Sequence, residues 1–216
     1  MLRLCILLII LLVPPAHSDD GLGGPQFDNL TESTYRQISW KDFRGKPIKP
    51  KGHSRWDGAT FAHIATSIRL GSFGVVEQQE GDRWKAVPKD LRPFAVMNKD
   101  FSGVQYGTKN DYSLAHEQLH FDISETVARR LAVSLSQLEG EGSSRTAARE
   151  DLAAKIRAGF EEGIQDLRAL QTRYDGETKH GEKKKKQKKW ATKVAGMLQD
   201  ATEALRQERA SVVESP

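Results

Sequence analysis

His116, Glu117 and His120 spell H-E-Q-L-H, and this spacing constrains the chain more than any other feature. Residues four apart on a helix share a face, so both imidazoles can point at one ion. The glutamate between them can then hold a water beside that ion, which puts two metal ligands and a base on one helical turn. Ile123, Val127, Leu131, Leu135 and Leu138 continue the histidine line at spacings of three and four. The metal face therefore runs into a core-packing stripe, and a site at the edge of a packed core is rigid and partly dry.

The ends of the chain read differently from its middle. Arg3 precedes an apolar run of about ten residues, Leu4 to Val13, too short to span a bilayer as a helix. Ala16-His17-Ser18 offers small residues for cleavage, so residues 1–18 are expected to be a signal peptide and the mature chain to start near Asp19. That implies export, to a periplasmic or extracellular place in a bacterium. Cys5 is the one cysteine and lies in that signal, so a thiolate metal site is excluded and His, Asp and Glu remain as ligands. Residues 19–36 are read as a mobile leader, 37–208 as one domain and 209–216 as a disordered tail.

Within the domain the first half is strand-like. Residues 37–43 suggest a short strand or turn, and 49–58 a loop holding His53. Residues 59–70 alternate apolar and mixed positions, with His63 an ordinary polar contact on the mixed face. Residues 73–77, 83–87 and 93–98 are further strands, separated by Gly81-Asp82 and Pro88-Lys89-Asp90 turns, and short strands so joined favour an antiparallel sheet. The second half reads as three long helices, at about 113–138, 146–172 and 187–208, the first stopping at Gly140-Glu141-Gly142. Strands followed by helices argue an α+β fold.

A catalytic zinc wants three protein ligands and one open position. His180 is the preferred third ligand, in the Gly-flanked stretch 174–181 read as a loop between two amphipathic helices. If those helices run antiparallel, the loop returns to the end of the first helix that holds His116 and His120. Asp175 and Glu177 share the stretch and could take the place instead. Glu125 could as well, but on a straight helix it lies about half a turn round from His116.

Four blocks carry a family resemblance: Ile38-Ser39-Trp40-Lys41-Asp42-Phe43-Arg44-Gly45, His116 to Ile123, Tyr174-Asp175-Gly176-Glu177-Thr178-Lys179-His180-Gly181, and Gln187 with Trp190. In these the chain resembles an uncharacterised family of secreted bacterial proteins, grouped by their H-E-x-x-H helix with zinc-dependent proteases of the zincin type. The resemblance implies a zincin-like, gluzincin-like domain, in which an antiparallel sheet leads into the active-site helix. It supplies no substrate.

The expected chemistry is peptide-bond hydrolysis. His116, His120 and His180 bind Zn²⁺, Glu117 takes a proton from the activated water, and Tyr174 is either a second donor to the oxyanion or a core aromatic. A strand such as 93–98 could pair with an extended protein or peptide substrate. The competing readings are an exported zinc-containing binding or structural module of the cell envelope, and a zinc hydrolase acting on a non-peptide amide. The formal charge is only +4, and the basic excess is local, in Lys183–Lys186, Lys188 and Lys189. That run suits a solvated face or contact with an anionic envelope surface. It lacks interleaved aromatics, and no nucleic-acid partner is expected.

Overall fold

The computed structural model of the chain describes residues 27–46, 62–104 and 109–213. The signal-like stretch, Cys5, the first part of the leader, the loop 49–58 and His53 lie outside the described residues. The architecture is mixed α and β. Two three-stranded antiparallel sheets are followed by three long helices, with one short strand returning from between the helices.

The first sheet has the order β1 (Glu32–Thr34), β5 (Pro93–Val104), β2 (Ala62–Leu70), and the second has β3 (Gly74–Glu80), β4 (Arg83–Lys89), β6 (Gly140–Gly142). Gly81, with φ at 65°, turns β3 into β4, a conformation that suits glycine. Two sheets replace the single one expected, because β4 pairs with β6 rather than with β5. β1 lies in the stretch read as leader. It is three polar residues long and carries no periodic signal, yet it is held by Glu32–Thr34 pairing with residues 96–98 of β5. Residues 37–43 are not a strand. Asp42 accepts the Ser39 backbone N–H at 2.8 Å and winds Trp40–Asp42 into a 3-10 turn. Arg36 clamps the same carboxylate at 2.6 Å.

Helix α1 (Asp111–Ser136) is capped by Asn110, whose side chain accepts from the Ser113 N–H at 2.9 Å, and Asp111 suits the positive helix end. Its stripe of Ile123, Val127, Leu131 and Leu135 is buried against Leu152, Ile156 and Leu167 of α2 (Arg145–Thr178) and Val194 of α3 (Lys184–Val213). Leu138 is half-buried at the end of that stripe. A second core, of Ile38, Phe43, Ala95, Met97 and Phe121, joins the 3-10 segment to β5 and α1. Polar ties fix α1 to its surroundings. Gln118 accepts the Ile38 N–H at 2.8 Å, Tyr35 donates to Asp122 at 3.0 Å, and Ser124 donates to Thr66 of β2 at 2.8 Å. Gln118 and Asp122, inside the H-E-Q-L-H-F-D-I block, are thus anchors for the 35–38 segment.

α2 runs through 174–178, where a loop is expected. Tyr174 and Thr178 sit four apart on the buried face, and Gly176 faces open space. An Asp-Gly pair is a turn signal by itself, but one buried face outweighs it. α3 likewise extends past the expected end, through residues 209–213.

Gly140 shows why β6 is a strand and more than a helix stop. A Cβ there would meet the Ala148 carbonyl oxygen and the Leu152 amide nitrogen of α2. Gly140→Ala should therefore lower stability by about 1–3 kcal/mol, as overpacking does. The readout is a lower denaturant midpoint at constant m-value. An unchanged midpoint would mean that β6 does not pack against α2.

Candidate metal centre

His116 and His120 stand one turn apart on the N-terminal half of α1, with ring centroids 4.9 Å apart. Helix α2 returns antiparallel and brings its last turn to them. Asp175 Oδ1 lies 3.2 Å from His116 Nε2 and 3.0 Å from His120 Nε2. Each of the three offers a ligand atom within 4.8 Å of the other two. Ligand atoms around a tetrahedral zinc with bonds of about 2.0–2.1 Å stand about 3.3 Å apart, so the spacing fits a metal ion.

The partners of the other ring nitrogens strengthen the fit. Gln171 donates its amide NH₂ to the His120 carbonyl at 2.8 Å, which leaves its oxygen facing His120 Nδ1. Gln187 donates to the Tyr112 carbonyl at 3.3 Å and turns its oxygen to His116 Nδ1 at 3.2 Å. The Tyr174 hydroxyl donates to the His116 carbonyl at 3.3 Å and can accept from Nδ1 at 2.7 Å. Both δ nitrogens thus meet acceptors, which favours the tautomer with the proton there. Neutral rings then turn two ε lone pairs at a carboxylate oxygen, acceptor against acceptor. A cation among the three atoms removes that conflict. Protonated ε nitrogens would donate to Asp175 and remove it as well.

Charge in the site follows the same geometry. Burial opposes ionisation of Asp175, yet the imidazoles of His116, His120 and His180 around it outweigh burial and hold its carboxyl far below the usual range. Burial also opposes charge on His120, and the neighbouring carboxylate of Asp175 outweighs it, raising the pKa of that imidazole. Glu117 is buried beside the pair, and its pKa is raised by desolvation, against the pull of His120, His116 and a backbone hydrogen bond from Ile64.

His180 does not take the third place. Its side chain is 65% exposed, and Nδ1 reaches only the other oxygen of Asp175, at 3.4 Å. The reason is the length of α2. The helix carries Asp175 inward with Tyr174, while Lys179 and His180 follow in left-handed conformation, with φ at 50° each, and turn outward. Glu177 and Glu125 are engaged elsewhere. Glu177 binds Arg173 at 2.7 Å and Trp190 at 2.9 Å, and Glu125 binds Arg129 at 2.8 Å. His63 contacts the Phe101 carbonyl at 2.7 Å.

Tyr174 is fully buried, stacked on His116 with ring centroids 4.7 Å apart. Its hydroxyl meets Nδ1, the nitrogen turned away from Asp175, and burial raises its pKa further. The ring thus packs as a core aromatic, with its hydroxyl engaged by the imidazole and the carbonyl of His116.

Residues 108–181 match the model of DUF922, described as bacterial protein of unknown function. No curated protein matches the chain, and no solved structure does. The DUF922 match takes in α1, β6 and α2 with His116, Glu117, His120, Gln171 and Asp175, and it ends at Gly181 before α3 supplies Gln187.

Two site residues escape a reading of the motifs. Gln171 lies four before Asp175, on the same face of α2, a spacing that becomes informative once Asp175 is placed. Gln187 is among the residues that carry the family resemblance, but nothing local shows that it touches His116.

Tyr174→Phe should weaken metal binding about 10–100-fold, the usual cost of losing a group that orients a ligand. The ring would still fill the space between His116, His120 and Trp190. Competition with a zinc-binding dye measures it, and an unchanged affinity would leave Tyr174 with packing alone.

Proposed function

We propose that the chain is an exported zinc-dependent peptidase of zincin-like build, with His116, His120 and Asp175 as the zinc ligands and Glu117 as the general base. The observation that carries this reading is the pair of ε nitrogens converging on Asp175 with the intervening glutamate buried beside them. Imidazole and carboxylate donors in a set of three suit a catalytic zinc with one position left for water or substrate. A zinc ion there would supply a Lewis acid for a water and for a substrate carbonyl.

The chain's own residues do the rest. Gln171, Gln187 and Tyr174 hold the imidazoles in one tautomer and one orientation. Glu117, with its pKa raised by burial toward the working range, takes the proton of the attacking water at its carboxylate and passes it to the leaving amine. β5 cannot receive a substrate strand along 93–98, because β2 pairs there and β1 takes residues 96–98. β2 is the better platform, since among the described residues it is an edge of its sheet. The register of β2 on β5 is irregular between His63 and Ala65, and there the Ala65 amide donates to Ser102 of β5 at 2.9 Å while the Ile64 amide bonds Glu117. An extended peptide on that edge would pass beside the base. The signal-like residues 1–18 support export. The test is hydrolysis of an unstructured protein by the zinc-loaded chain against its Glu117→Gln variant.

A further inference from the structure

Seven lysines crowd into the eleven residues from 179 to 189: Lys179, Lys183, Lys184, Lys185, Lys186, Lys188 and Lys189, with Glu182 the one carboxylate among them. All seven are exposed. The lysines that make ion pairs among the described residues are others: Lys85, Lys99 and Lys155. Local energetics do not account for the run. Three of these lysines open α3, where positive charge opposes the helix dipole.

The fold places the run at the candidate metal centre. Gly181 packs so close to His116 that a Cβ there would lie 3.4 Å from its ring, and Tyr112 donates to the Gly181 carbonyl. Gln187, inside the run, touches His116 Nδ1. Lys184 lies 5.5 Å from the centre of the Tyr112 ring. The same chain segment that walls one side of the histidine pair therefore carries a positive surface outward from it.

We infer that this surface binds an acidic peptide segment, and that substrates are selected by carboxylates flanking the bond to be cut. The inference rests on the peptidase reading and names its substrate class. A field of one sign beside a site concentrates and orients a partner of the other sign. A lipid surface fits less well. Residues 182–189 hold no apolar side chain to insert, and the run starts at the site itself.

The test uses the full chain carrying Glu117→Gln and loaded with zinc, which can bind without cutting. Fluorescence anisotropy compares a labelled glutamate-rich peptide with a glutamine-rich one of equal length. The acidic peptide should bind about fivefold tighter or more, five exposed charges acting even at the weak end of surface pairs. Salt should erode the preference. It should vanish when Lys183, Lys185, Lys186, Lys188 and Lys189 are all changed to Gln, substitutions that relieve the helix end instead of burdening it. Equal affinity for the two peptides overturns the inference. So does binding to phosphatidylcholine vesicles only when they contain phosphatidylglycerol, with no preference between the peptides. Hydrolysis by the wild-type chain with no charge preference would sink this inference and leave the peptidase reading standing. A charge preference in a chain that hydrolyses nothing would keep the acidic-peptide surface and remove the peptidase reading.

Discussion

Asp175→Ala will strip the chain of its metal, and His180→Ala will not. Among the described residues, Asp175 Oδ1 is the one carboxylate oxygen that faces both ε nitrogens, at 3.2 and 3.0 Å. Its loss leaves two ligands on one helix, which is too few to hold zinc in a closed three-ligand set. The fall in affinity should exceed the ~10–100-fold typical of an outer partner. His180 is such an outer partner at most, mostly exposed and 3.4 Å from the far oxygen. Its removal should cost no more than about tenfold. The measurement is metal content after dialysis, with dye competition for affinity and circular dichroism to check that both variants keep their helices. If His180→Ala empties the chain and Asp175→Ala does not, then His116, His120 and Asp175 are not the ligand set.

Glu117→Gln will keep the metal and lose hydrolysis. Glu117 faces the pair without completing the ligand set, and its partners are the Ile64 amide and the field of His116 and His120. Glutamine keeps the size and the backbone hydrogen bond but cannot take a proton. The rate on an unstructured protein should fall on the order of 10² to 10⁴, with zinc content unchanged. A variant as active as the wild-type chain would remove Glu117 from the chemistry and favour a module that holds metal without catalysis.

The sequence by itself determined what short-range spacing can determine. His116 and His120 share a face because four residues make about one helical turn, and that holds wherever α1 packs. The same logic places the stripe from Ile123 to Leu135 in the core and the Gly81-Asp82 turn between β3 and β4. Beyond position 5 the sequence holds no cysteine, which leaves His, Asp and Glu as ligand types for the rest of the chain.

Tertiary packing decided the rest. Whether Asp175 or His180 meets the pair depends on how far α2 continues, and that is set by burying Tyr174 and Thr178 against α1 and α3. Gly176 favoured a turn locally, and a weak local preference gave way to a buried face. Gln171 and Gln187 lie 51 and 71 residues from the histidines they orient, so no local pattern links them. The split into two sheets has the same origin. β6 is three residues, two of them glycine, and carries no strand signal of its own. It becomes a strand because Gly140 and Gly142 fit against α2 where any side chain would collide, which delivers their backbone to β4. Spacing along one element is legible in a sequence because its geometry is fixed. Which elements meet is not, because that depends on surfaces contributed from dozens of residues away.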